Sequence, residues 1–276
     1  MLYSSSAVRE DTSSVASADN PWWLWPNLLS LDAVAVALAW QLLLSPGRSL
    51  GQLAALALAV WLIYTSDRWL DARSPSYPAT ARHGFAHQHR QLLGILLLLG
   101  FALELALVLT QLSWQEITLG LLLLALSLAH LALAQIRPSF AWPKEWSAGL
   151  VFASGVCLPA FIAGPTPAQL AAWILLAGLC VWNCTAIEVW ERGAAHVHPW
   201  SLALAQSLPA SALALLSGSA FLLRLPLGMA LALALSSAAA ASCLLALMQA
   251  RFSRPFLRMA ADLALLLPPL LAWFFS

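Results

Sequence analysis

Charge is what this chain has least of. Of its 276 residues only 9% are Asp, Glu, Lys or Arg, while 61% are hydrophobic. A soluble globular domain carries about 25% charge, so that class is excluded. No basic patch or exposed basic helix suggests nucleic acid, and no short-period repeat appears. Cysteine is scarce too: Cys157, Cys180, Cys184 and Cys243 all fall in apolar runs. None has the spacing of a metal knuckle, which leaves them as small core residues. The first 20 residues lack the basic start and short apolar core of a secretory signal. They are Ser-rich and polar, and a disordered cytoplasmic tail is expected there, followed by a single transmembrane domain over 21–276.

What is abundant is the apolar run of about 20 residues, enough to cross roughly 30 Å of hydrocarbon as a helix. Continuous Leu/Ala runs lack the alternation of a membrane barrel. The expected fold is therefore all-α: a polytopic membrane helical bundle of about nine transmembrane helices in two related halves. The spans read as 27–45, 49–66, 91–111, 115–136, 146–163, 167–187, 200–222, 226–249 and 256–275. The Pro21-Trp22-Trp23-Leu24-Trp25-Pro26 stretch suits an interfacial anchor. With nine spans, one side carries Arg9, Arg68, Arg73, Arg82, Arg90, Arg137, Lys144, Arg192, Arg251, Arg254 and Arg258, 11 of the 13 basic residues. The other side keeps Arg48 and Arg224. That asymmetry predicts a cytoplasmic N-terminus and an external C-terminus. The expected location is the inner (plasma) membrane of a bacterium.

Acids stand where such a protein should least tolerate them. Asp67 and Asp71 end the second span, and Glu188 and Glu191 end the sixth. The surrounding strings echo each other: Trp61 to Asp67 to Trp69, and Trp182 to Glu188 to Trp190. Each is followed by a His-x-His pair, His87/His89 and His196/His198. Residues three or four apart share a helix face, so each acidic pair points one way. Asn183 lies two turns before Glu191 on nearly the same line. Ionisable residues at such a place usually mark a function. Four converging carboxylates suggest hard cations between them, and Mg²⁺ is typically held by carboxylates together with substrate phosphates. Arg68, Arg82, Arg90 and Lys144 lie in adjacent loops and are suited to phosphate oxygens. Glu104 is the deepest acid, and Asp262, four residues after Arg258, is expected to pair with it.

Asp67-Arg68-Trp69-Leu70-Asp71 resembles the Asp-Arg-x-x-Asp core of the first aspartate-rich motif of UbiA-type membrane prenyltransferases, which also ends the second of nine spans in that family. Asn183 to Glu191 stands where the second acidic motif does. The stretch from Lys144-Glu145-Trp146 to Ala153-Ser154-Gly155 resembles the family's basic loop and Gly-containing fifth span. The resemblance implies Mg²⁺-dependent transfer of a polyprenyl group from its diphosphate to an aromatic or other lipophilic acceptor, in a pocket facing the cytoplasm. It implies Asp67 and Asp71 as catalytic metal ligands, Glu188 and Glu191 as ligands of a second metal, and Arg68, Arg82, Lys144 and Asn183 on the diphosphate. No obligate protein partner is implied. The chain departs from the pattern at Ile63 and Tyr64, where the first motif opens on Asn and often Asp; at Ile187, four after Asn183; and at His83, where Pro usually follows Arg82. These departures leave open an altered or inactive relative that binds or transports a phosphorylated lipid, or a membrane terpene cyclase.

Overall fold

The protein's structure, a computed structural model, describes residues 22–72, 81–136, 144–193, 198–221 and 229–275. The expected tail and the stretches holding Arg73, Arg137, His196 and Arg224 lie outside the described residues. So do the side chains of Asp71, Arg82, His83, His130 and Arg192.

Every described element is helical. A turn of 3₁₀ helix leads into α1 (Trp25–Leu28), then α2 (Leu31–Leu44), α3 (Leu50–Asp71), α4 (Ala81–Gln88), α5 (Arg90–Gln111), α6 (Trp114–Ile136), α7 (Lys144–Ile162), α8 (Pro167–Arg192), α9 (Pro199–Gln206), α10 (Leu208–Phe221), α11 (Met229–Met248) and α12 (Arg254–Phe274). Six of these are long and apolar enough to cross a bilayer, and up to seven if α9 and α10 form one bent span. Each of the nine expected spans overlaps helix. The seventh, however, is not one continuous rod: α9 and α10 meet at 82°. Pro209, the second residue of α10, has no N–H to donate back across the junction at Ser207. The first is broken as well. Ser30 sits at φ 61°, in the left-handed region, and separates α1 from α2.

The starts of α3 and α8 are fixed by capping boxes. Ser49 accepts from the Gln52 N–H while Gln52 accepts from the Ser49 N–H, and Thr166 and Gln169 repeat the exchange. In lipid there is little hydrophobic force between helices, so close packing of small residues does the work. A Cβ added to Gly149 would lie 2.6 Å from the Val181 backbone nitrogen, so α7 and α8 touch backbone to backbone there. Gly100 likewise faces Leu62 at 3.0 Å, letting α5 lie along α3. The Ala-rich α11 buries Ala232, Ala234, Ala238 and Ala239 against α10 and α12.

The core gathers α2, α3, α7, α8, α11 and α12 around Trp40, Val156, Leu176, Leu179 and Leu235. The outer helices take separate supports: α5 packs along α3, and α6 along α7. Both present leucines outward, among them Leu98, Leu99, Leu105, Leu109, Leu121 and Leu128. A polar residue supports α12 where its prolines would weaken it. Pro269 cannot donate to the Leu265 carbonyl; the buried Trp40 indole N–H donates to it instead, at 3.0 Å. That bond ties α2 to α12.

Candidate functional site

Polar contacts collect the ends of six helices on one face. Lys144, opening α7, pairs with Asp67 near the end of α3, Nζ to Oδ2 3.1 Å. Arg258, in the second turn of α12, pairs with Glu191 at the end of α8 at 3.0 Å. Arg254 donates to the Glu191 carbonyl at 3.4 Å. Ser201 of α9 donates to Glu145 of α7 at 3.3 Å, and the Trp190 indole donates to Gln249, after α11, at 2.8 Å. On the opposite face Arg48, between α2 and α3, pairs with Glu116, which also accepts from the Ser113 N–H and hydroxyl at 2.8 Å. The acid-bearing ends of α3 and α8 thus share the face that also carries Lys144, Arg254 and Arg258.

The two acidic ends are built differently. Asp67 is partly exposed, with 27% of its side-chain surface open, and its Lys144 partner is 50% exposed. The Arg258–Glu191 pair is nearly closed, at 10% and 12%. Glu188 is half-buried one turn before Glu191. Asp67 can therefore exchange its ammonium partner for another cation from solution. Glu191 already has its charge met by a guanidinium held inside the bundle. Among the described residues no three His, Cys, Asp or Glu side chains are grouped to share a metal ion. Of the expected Mg²⁺ ligands, Asp67 is partly open to solvent beside Lys144, with the Asp71 side chain outside the described residues; at the α8 end Arg258 stands against Glu191, which does not suit a second cation there.

Arg68 is placed otherwise than a phosphate ligand on the surface would be. It is buried and donates to the carbonyls of Asn27 and Leu28, the latter at 3.3 Å. They lie at the break before Ser30, where the Asn27 carbonyl also accepts the Ser30 N–H at 3.3 Å and Trp61 serves the Leu29 carbonyl at 3.0 Å. Arg68 thus fastens the α1–α2 corner to α3. Asn183 is buried deep in α8, and its amide donates to Asp262 Oδ1 at 3.3 Å. The expected Arg258–Asp262 pair does not form; Arg258 reaches across to Glu191 of α8 instead. Asp262 faces Asp32 of α2, the two carboxyl groups lying within hydrogen-bonding reach. Nothing in the sequence alone brings α2 beside α12, so this contact was not legible there.

A second polar feature lies where α4 meets α5. An open cavity of about 740 Å³ is lined by Trp69, His87, His89 and Arg90 among others. Arg90 stacks over Trp69 at 5.6 Å, and the Trp69 indole donates to the Arg90 carbonyl at 3.0 Å. His89 packs against Phe85, and His198 accepts from the Trp200 N–H, capping α9. The first His-x-His pair therefore borders a basic hollow, while His198 serves a helix start.

No family model, curated protein or solved structure matches the chain.

Proposed function

We propose that the protein is an integral-membrane prenyltransferase of the UbiA type, spanning the bilayer nine times with its basic face in the cytoplasm. It would move a polyprenyl group from its diphosphate to a lipophilic acceptor. One observation carries the reading. The carboxylates of Asp67 and Glu191, from two different helix ends, sit on one face of the bundle with Lys144 and Arg258 as their partners. Acid beside mobile cation is what a diphosphate site needs, and a leaving diphosphate is stabilised by donors preorganised where its charge develops.

Asp67, with Asp71, is assigned to Mg²⁺, which would supply charge neutralisation to the departing diphosphate. Lys144 is exposed enough to turn from Asp67 onto a phosphate oxygen. At the α8 end the Arg258 guanidinium takes the part that a second metal plays elsewhere, which accords with the departure of Glu188 and Glu191 from the four-residue spacing. The outward leucines of α5 and α6 and the separate supports of those two helices suit entry of a long apolar chain from lipid.

The test is release of diphosphate. Full-length protein in lipid nanodiscs is incubated with prenyl diphosphates of several chain lengths, with and without aromatic acceptors. Release is expected to need Mg²⁺ and to fall at least about 100-fold in Asp67→Asn, the range for loss of one stabilising group in such a site. No release at any chain length, or equal release by Asp67→Asn, refutes the reading. Mg²⁺-dependent binding without turnover would instead favour the phosphorylated-lipid binder, the reading that Ile63, Tyr64 and the closed Arg258–Glu191 pair support.

A further inference from the structure

The charged groups of the proposed site leave one buried cluster unexplained. Asp32 lies in the first turn of α2, Asp262 is eight residues into α12, and Asn183 is nine residues before the end of α8. At 1.5 Å per residue the last two lie about 12 Å and 14 Å below their helix ends, so all three share one depth inside the bundle.

The donors reaching this cluster are neutral. Asp32 accepts from the Ala33 N–H at 2.8 Å and from the Asn27 amide at 2.5 Å. Asp262 accepts from the Asn183 amide at 3.3 Å. The two carboxyl groups touch each other, and among the described residues neither has an ion pair. The arginines that sense them are engaged elsewhere: Arg258 with Glu191, and Arg68 with the Asn27 and Leu28 carbonyls. Two carboxylates in contact within a bundle repel strongly at low dielectric, so a proton or a cation must lie between them.

A second atom distinguishes the two. Asn183 is only 7% exposed, and its Oδ1 has no hydrogen-bond partner. The same amide group holds Asp262 through its nitrogen, which sets this oxygen beside the acid pair. A proton shared by two carboxyls does nothing for a buried carbonyl oxygen, which costs free energy while unmet. A cation coordinated by both carboxylates and that oxygen meets all three.

We infer that Asp32, Asp262 and the Asn183 side-chain oxygen form a buried binding site for one hard monovalent cation, with Na⁺ as its natural probe. Oxygen-only ligands suit a hard cation, and a single positive charge between the two carboxylates is enough to turn their repulsion into attraction. The site would lock α2, α8 and α12 together beneath the face that carries Asp67 and Glu191. It stands whether or not the protein transfers prenyl groups.

The experiment is thermal unfolding of the full-length protein in nanodiscs, in sodium chloride against choline chloride at equal ionic strength. A saturable, Na⁺-specific rise in Tm is expected, because a ligand of the folded state alone stabilises it by mass action. Asp262→Asn and Asn183→Leu should each abolish the rise, while Glu104→Gln, on α5 and outside the cluster, keeps it. Infrared spectra test the occupant directly: in saturating Na⁺ no protonated-carboxyl stretch should vanish in Asp262→Asn. Identical Tm in the two salts overturns the inference. So does a protonated-carboxyl band that Asp262→Asn removes, or stabilisation by divalent cations alone. Should Asp262→Asn fail to fold, the salt comparison on the unaltered protein and on Asn183→Leu still decides.

Discussion

Removing one partner of the Arg258–Glu191 pair should destabilise the protein far more than removing both. The pair is 3.0 Å long, and its side chains are 10% and 12% exposed. Breaking such a pair from one side leaves an uncompensated charge in the bundle and costs about 3–5 kcal/mol. Glu191→Leu should sit near the lower bound, since Asp262 and Asp32 remain close enough to attract the freed guanidinium. Arg258→Met should sit higher, because Glu191 then loses its guanidinium and Asp262 and Asp32 lose a nearby positive charge. The double variant Glu191→Leu/Arg258→Met replaces an ion pair by apolar groups, a change that is often near neutral. The assay is equilibrium unfolding of all four proteins in mixed micelles, read as a double-mutant cycle. With two single losses of about 3–5 kcal/mol and a near-neutral double variant, the coupling should reach roughly 6 kcal/mol, and anything above about 2 kcal/mol already marks direct contact. Single variants that each lose less than about 1 kcal/mol would place the pair in water, where such contacts contribute little. Additive losses would refute direct pairing.

Other consequences are as direct. Trp40→Phe keeps an aromatic side chain but removes the donor that replaces Pro269 at the Leu265 carbonyl and leaves a small void at a fully buried position; a loss of at least about 1–3 kcal/mol is expected from the orphaned acceptor alone, measured by the same unfolding. Gly149→Val forces α7 from α8 at the Val181 backbone and should cost about 1–3 kcal/mol by overpacking, with Gly149→Ala milder. Glu104 has a buried oxygen with no partner, on a helix whose other face meets lipid. Glu104→Leu should therefore be at least as stable as the parent protein, and a loss above about 1 kcal/mol would reveal a hidden partner.

Composition and run length alone determined that the chain is a helical membrane protein. At 9% charge and 61% apolar residues there is no soluble alternative, and backbone groups in lipid must be met within each helix. Capping residues such as Ser49 and Thr166 were legible for the same local reason. The acidic ends of α3 and α8 were visible too, because an ionisable side chain within an apolar run stands out against its neighbours. What the sequence could not supply was partnership. Arg68 reads as a loop cation, yet it is drawn inward to the Asn27 and Leu28 carbonyls at the turn made by the left-handed Ser30, 38 positions earlier. Arg258 and Asp262 have ideal spacing for pairing along α12, yet the guanidinium crosses to Glu191. Asp32 and Asp262 are distant in sequence and meet because Trp40 and Leu265 dock α2 on α12. Local chemistry is written in one dimension and could be read there. Which charge answers which is a matter of distances between helices, and in a medium of low dielectric those distances decide everything.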